Sequence, residues 1–281
     1  MRSTTRWTPK LVAALLPFAA VACSDSAGLT GPAGGTGAGT GTGGAASVGA
    51  PVTLSLAVPA STGRFASVTG PALFDLVLTD AGSTLTLTRV AIVMRKIELK
   101  REDHDQCDDL PNDDDCEEFE SGPRLFELPL DGSVDQVLSV DSVPAGRYDE
   151  LEFEIHKPDD DTGVDSLFLT QNPGFKKVSI RVEGDFDGNA FVYETDLNEE
   201  QEVPLAMPID VMDGGGPINV TFSVDVDTWF RDAAGNLIDP ATANKGGPNE
   251  QLVENNIERS IDLFKDDDHD GEDDDSSGSG S

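Results

Sequence analysis

Residues Ile218–Phe230 read INVTFSVDVDTWF. In them Ile218, Val220, Phe222, Val224 and Val226 alternate with Asn219, Thr221, Ser223, Asp225 and Asp227. Successive side chains of a strand point to opposite faces, so this stretch predicts one buried face and one wet face. ELEFEIH repeats the pattern, with Leu151, Phe153 and Ile155 set against Glu152, Glu154 and His156. Val178, Ile180 and Val182, followed by Phe191 and Tyr193 across Gly188-Asn189, predict a hairpin. Further strands are expected at Val52–Val58, Phe74–Leu78, Leu85–Lys100, Arg124–Leu130 and Gln136–Val140. The long run loses its register near Arg89 and Val90, the mark of a bulge or of a corner between sheets. Half-wet strands joined by short turns predict an all-β body over residues 51–265, an antiparallel β-sandwich.

One helix is expected at the C-terminal end of that body, over about 249–265. Asn249 stands as its N-cap, Glu250 in its first turn, and Val253, Ile257, Ile261 and Phe264 recur at helical spacing. Beyond it, residues 266–281 carry so much charge and so few apolar groups that a disordered acidic tail is expected.

The first residues have a different character. Arg2, Arg6 and Lys10 precede a short apolar segment, Leu11–Ala22, which ends at Cys23. A spanning helix needs roughly 20 apolar residues, so residues 1–22 read instead as an export signal. Ala20-Val21-Ala22-Cys23 resembles the lipobox of bacterial lipoproteins. The resemblance implies cleavage before Cys23, acylation of that cysteine and attachment to a lipid bilayer; more than one acyl chain gives stable anchoring. Ser24 in place of an aspartate, by similarity to known sorting, implies the outer membrane of the cell envelope. Residues 23–50, rich in Gly, Ala and Thr, are a flexible tether with a span of roughly 27 Å.

Loss of residues 1–22 takes three basic side chains and no acidic one, which moves the formal charge from −34 to −37. Nucleic acid and anionic headgroups would be repelled, so nucleic acid is excluded as a partner, whereas divalent cations are attracted. Of the three cysteines, Cys107 and Cys116 remain as a pair in an oxidising compartment, and a disulfide between them is expected. A loop that short is worth roughly 2.5–3 kcal/mol in the chain-entropy model. The alternative is a zinc site with His104, for which a fourth soft ligand is missing nearby.

LFELPLDG, DSVPAGRYDELEFEI, VSIRVEGDFDGNAFVYETDL and VTFSVDVDTWF resemble consecutive strands of a bacterial lipoprotein family of unknown function. The turn Pro144–Tyr148 and the strand end Asp225, Trp229 and Phe230 carry the resemblance, which covers roughly residues 76–230. It implies an extracytoplasmic β-sandwich without an assigned activity. The acidic insertion around the cysteine pair departs from the family pattern.

Acidic clusters are the main candidates for chemistry. Glu102–Glu120 holds eleven carboxylates, and Asp266–Asp275 holds eight. Within the second, Asp266, Asp268 and Asp270 precede Gly271, with Glu272 and Asp274 following, which matches the opening of a calcium loop. Ser277 stands where an EF-hand has its bidentate glutamate, so weak Ca2+ binding is expected, in the roughly 10⁻⁴–10⁻³ M extracellular class. Asp159 and Asp161 would add a second cation site if they met Glu183, Asp185 and Asp187.

No G-x-S-x-G elbow, H-E-x-x-H helix or phosphate-binding glycine loop occurs in the sequence. Trp229-Phe230 reads as core rather than as half of a sugar platform. These signs predict a surface-anchored, non-catalytic lipoprotein with a structural, adhesive or ligand-binding role toward a protein or glycan. The alternative is a secreted carbohydrate-binding or hydrolytic module.

Overall fold

The computed structural model describes residues 49–59, 64–67, 74–80, 82–102, 122–161 and 163–274, all within the unit Ala45–Ser281. They form twelve strands: β1 (Ala50–Ala57), β2 (Arg64–Ser67), β3 (Phe74–Thr79), β4 (Thr84–Arg101), β5 (Arg124–Glu127), β6 (Val134–Val143), β7 (Gly146–Ile155), β8 (Ile180–Phe186), β9 (Asn189–Thr195), β10 (Glu199–Val211), β11 (Ile218–Val224) and β12 (Ile261–Lys265). Two short helices accompany them, α1 (Gly163–Gln171) and α2 (Glu250–Glu258). The body is mostly β, in two sheets. The smaller runs β12-β11-β1-β6, and the larger is built around β4.

β4 is long enough to serve four neighbours. One of its edges pairs with β8 and then β7, the other with β3 and then β5. The register slips between Leu87 and Arg89, where the sequence loses its alternation, and again between Arg95 and Glu98, beside Lys96 at φ 51°. Val90, Ala91, Ile92 and Val93 are all buried. Val90 and Ile92 belong to the main core, while Ala91 and Val93 pack under Phe168 of α1 and Phe175. Both faces of the strand are covered there, so the residues cannot alternate.

The two sheets share one core. Phe153 of β7 meets Phe222 of β11 edge-on, with ring centroids 5.1 Å apart, and Tyr193 meets Phe230 in the same way at 5.3 Å. Trp229 is 0% exposed and its indole N–H donates to Ser260 Oγ at 2.7 Å. The Pro144–Tyr148 turn is closed by the Tyr148 hydroxyl donating to the Pro144 carbonyl at 3.0 Å.

Five expectations change. Pairing is antiparallel except between β1 and β11, which run parallel. The C-terminal helix stops at Glu258, and residues 261–265 form β12 on the edge of β11. Val253 and Ile257 are buried at helical spacing, but Ile261 and Leu263 are buried at spacing two, with Asp262 exposed between them. The period changes at Ser260, whose backbone N–H returns to the Ile257 carbonyl at 3.0 Å. Asn249 precedes the helix without a capping bond, and its side chain donates to Thr242 Oγ1 instead. The hairpin turns at Asp187-Gly188, both at positive φ, one residue earlier than expected.

The last change concerns the tail. Residues 266–274 are folded, and Asp266 is 0% exposed. Residues 275–281 lie outside the described part.

Candidate metal centre

The polar face of β11 leads to the site. Asn219, Thr221 and Ser223 should be wet by their alternation, yet all three are buried, as is Ser55 on the neighbouring β1. The C-terminal loop covers part of this face and supplies the partners. Ser55 Oγ donates to Asn219 Oδ1 at 2.8 Å, and Asn219 Nδ2 donates to the Asp266 carbonyl at 2.7 Å. Thr221 Oγ1 donates to Asp266 Oδ2 at 2.9 Å. Buried polar groups persist where they are hydrogen-bonded, and here the chain just past β12 meets that need.

Asp266 is the pivot of the loop. Its Oδ1 accepts from the Asp270 N–H at 3.0 Å and its Oδ2 from the Gly271 N–H at 3.1 Å. Gly271 lies at φ 81°, a conformation favoured by glycine, and a Cβ there would stand 3.1 Å from Val134 Cγ2. The turn also requires His269 at φ 60°. Asp274 closes the loop by accepting from the Asp267 N–H at 2.7 Å and donating its own N–H to the Lys265 carbonyl at 3.2 Å. Lys265 Nζ pairs with Asp267 Oδ2 at 2.5 Å.

This wrapping gathers Asp266, Asp268 and Asp270, each offering one carboxylate oxygen within 4.8 Å of the others. Partial loss of hydration, then the charges of Asp270, Asp274 and Asp266, raises the Asp268 pKa above its ordinary value. Glu272 donates its N–H to Asp270 Oδ1 at 2.8 Å, and its carboxylate lies outside the gathered group. The donor set is all oxygen, with acids at alternate positions and a left-handed glycine sixth in the loop, which suits a hard cation such as calcium. Ser277 lies outside the described residues. The segment entering the loop is a strand, where an EF-hand has a helix.

Other expected sites fare differently. Cys23, Cys107 and Cys116 lie outside the described residues, as does His104. Asp159, Asp160 and Asp161 gather with one another, and Lys176 and Lys177 pair with Asp160 and Asp159 at 2.5 and 3.4 Å. They do not meet Glu183, Asp185 and Asp187. β7 ends opposite Met94 of β4, two residues beyond Ile92, which pairs with the start of β8, whereas Asp185 and Asp187 lie at the far end of β8, roughly 20 Å along the strand. Glu183 is engaged with Arg89 and Arg181.

Two clusters were not expected. His156, at the end of β7, places Nε2 3.0 Å from Asp165 of α1 and Nδ1 3.3 Å from Glu154. Arg95 grips Glu154 with two bonds, at 2.7 and 2.9 Å. All three of His156, Glu154 and Asp165 are buried, so the network docks α1 onto the sheet. The second cluster joins Asp196 to Glu250 and Glu254 of α2. Only the i, i+4 spacing of the two glutamates was visible in sequence.

No protein-family model, curated protein or solved structure matches the chain.

Proposed function

We propose that this protein is a lipid-anchored, extracytoplasmic, non-catalytic β-sandwich whose C-terminal loop holds a calcium ion. The carrying observation is the Asp266, Asp268 and Asp270 group, set on a fully buried anchor and closed by Gly271. A cation there offsets the mutual repulsion of three carboxylates and ties the loop to β11, β12 and β1. The ion is thus a structural fastener of the smaller sheet. The formal charge of −34 raises the local concentration of cations around the body.

Attachment through Cys23 and the Gly-rich tether that follows belong to the same reading, as does kinship with the lipoproteins that the strands resemble. The anchor fixes one end, and the body on its tether performs a structural, adhesive or ligand-binding role. Burial of Trp229 beneath the core disfavours the carbohydrate-platform alternative.

Hydrogen exchange on the chain carrying Cys23→Ser, with and without calcium, tests the ion site. Calcium should slow exchange of amides 266–274 at millimolar concentration, magnesium less so, and Asp268→Asn with Asp270→Asn should abolish the effect. Identical exchange of that segment in calcium and in chelator overturns the proposal.

A further inference from the structure

β5 pairs with β4 through Ala91–Met94, and among the described residues no strand pairs with its other edge. The direction of its backbone groups follows from its neighbours. The Leu128 N–H reaches the Val90 carbonyl at 2.9 Å, and bonded pairs in an antiparallel ladder recur every second residue, so Phe126 and Arg124 also bond to β4. Opposite Leu125 stands Val93, which uses its N–H on the Ser179 carbonyl at 2.7 Å and its own carbonyl on the His156 N–H at 2.9 Å, both on the far edge of β4. Leu125 and Glu127 therefore turn their N–H and C=O groups away from the sheet, and no bond reaches these groups among the described residues.

That edge is one wall of a cleft of about 580 Å³, a size common to ligand sites. Leu125, Val137 of β6 and Phe168 of α1 give the cleft apolar surface, and Arg124, Glu127 and Gln171 add polar groups. Glu127 is held by Arg89. Arg124 is exposed and has no ion pair among the described residues. As neighbours in a strand, Arg124 and Leu125 lie on opposite faces.

We infer that the free edge of β5 is a docking site for a short extended peptide in which apolar and acidic residues alternate. The outward N–H and C=O groups of Leu125 and Glu127 pair with the peptide backbone as an added strand, and side chains on its two faces set the specificity. On one face an apolar side chain meets Leu125 and Phe168; on the other a carboxylate meets the Arg124 guanidinium. The negative charge of the whole chain does not prevent this, because at about 0.15 M salt charges more than about 8 Å away are screened. The site gives the ligand-binding role of the body a place, and it shares no residue with the calcium loop, so failure of either leaves the other standing.

Fluorescence polarisation on the chain carrying Cys23→Ser, with the labelled peptide Thr-Val-Asp-Val-Asp-Val-Thr as probe, tests the inference. Saturable binding is expected, and methylation of the peptide nitrogens should abolish it. Arg124→Glu should weaken binding by about fivefold, the upper end for an exposed ion pair. The same peptide with Lys in place of both Asp should bind the Arg124→Glu chain more tightly than it binds the unsubstituted one. No saturable binding up to millimolar peptide overturns the inference. So does binding that survives both backbone methylation and Arg124→Glu, or self-association of the chain that buries this edge and excludes the probe.

Discussion

The Thr221 hydroxyl donates to Asp266 Oδ2 at 2.9 Å, joining a mid-strand residue of β11 to the first acid of the C-terminal loop, 45 positions later. This bond turns the polar face of β11 into an interior surface. It also fixes the carboxylate from which the acidic loop is wound, so sheet and loop share one determinant.

Thr221→Val keeps the shape of the side chain and removes that donor. A hydrogen bond to a charged group is worth about 1.5–3 kcal/mol, and the variant should lose stability on that scale in urea unfolding. It should also weaken calcium binding at the loop, because Asp266 is no longer held. Wild-type stability in this variant would show that the bond carries no weight.

In acidic solution, where Asp268 still holds its proton, calcium binding at the loop should release protons. The ion binds the ionised form of Asp268, whose pKa is raised by partial loss of hydration and by Asp270, Asp274 and Asp266. Affinity should therefore weaken as pH falls through the raised range. Calorimetry in buffers of different ionisation enthalpy reads the released protons directly. Asp268→Asn should remove most of the release.

Glu258 sets a second dependence on pH. Burial, then Glu199 and Glu254, pushes its carboxyl from 4.5 up to about 7. Between those values the native chain holds a proton that the unfolded chain has released, so this contribution is full below about pH 4.5 and is lost as pH rises through 7. Asp80, Asp131 and Asp232 are shifted the other way by hydrogen bonds, and their contribution fades only in more acidic solution, below the usual aspartate value. The melting temperature should thus fall between pH 5 and pH 8, and Glu258→Gln should flatten that slope.

His156→Ala removes the group bridging Glu154 and Asp165, both buried. Leaving a buried polar group without its hydrogen-bond partner costs about 1–3 kcal/mol, and the loss should fall first on α1, which Asp165 secures. Hydrogen exchange should show residues 163–171 opening before the strands. A uniform loss across the sheets would assign the network a different role.

Cys107 and Cys116 should carry no free thiol in the exported chain, and Cys23 should carry lipid. Thiol labelling without reductant should find neither member of the pair. Cys23→Ser should release the chain from the membrane fraction. Two reactive sulfurs would favour the zinc alternative.

Much of the fold was legible in the sequence because alternation reports burial on one face. β1, β7, β8, β9 and β11 stand where their apolar periods placed them, and the slip in β4 falls where its alternation fails. β10 was missed because Glu199–Glu202 and two prolines hide its few buried side chains. α1 was missed because its helix buries only Asp165 and Phe168. β12 reads as helix in the sequence because Val253, Ile257 and Ile261 keep a spacing of four across the junction, and only pairing with β11 sets the last of them in a strand.

The sequence by itself determined the β character, the negative charge and the spacing of Asp266, Asp268 and Asp270, because these depend on residue type and near-neighbour order. Tertiary structure alone decided that Asp266 is buried, that Asp196 meets Glu250 and Glu254, and that the polar side of β11 is interior. Each of these contacts joins residues far apart in the chain, where local period carries no record of what comes to lie above a face.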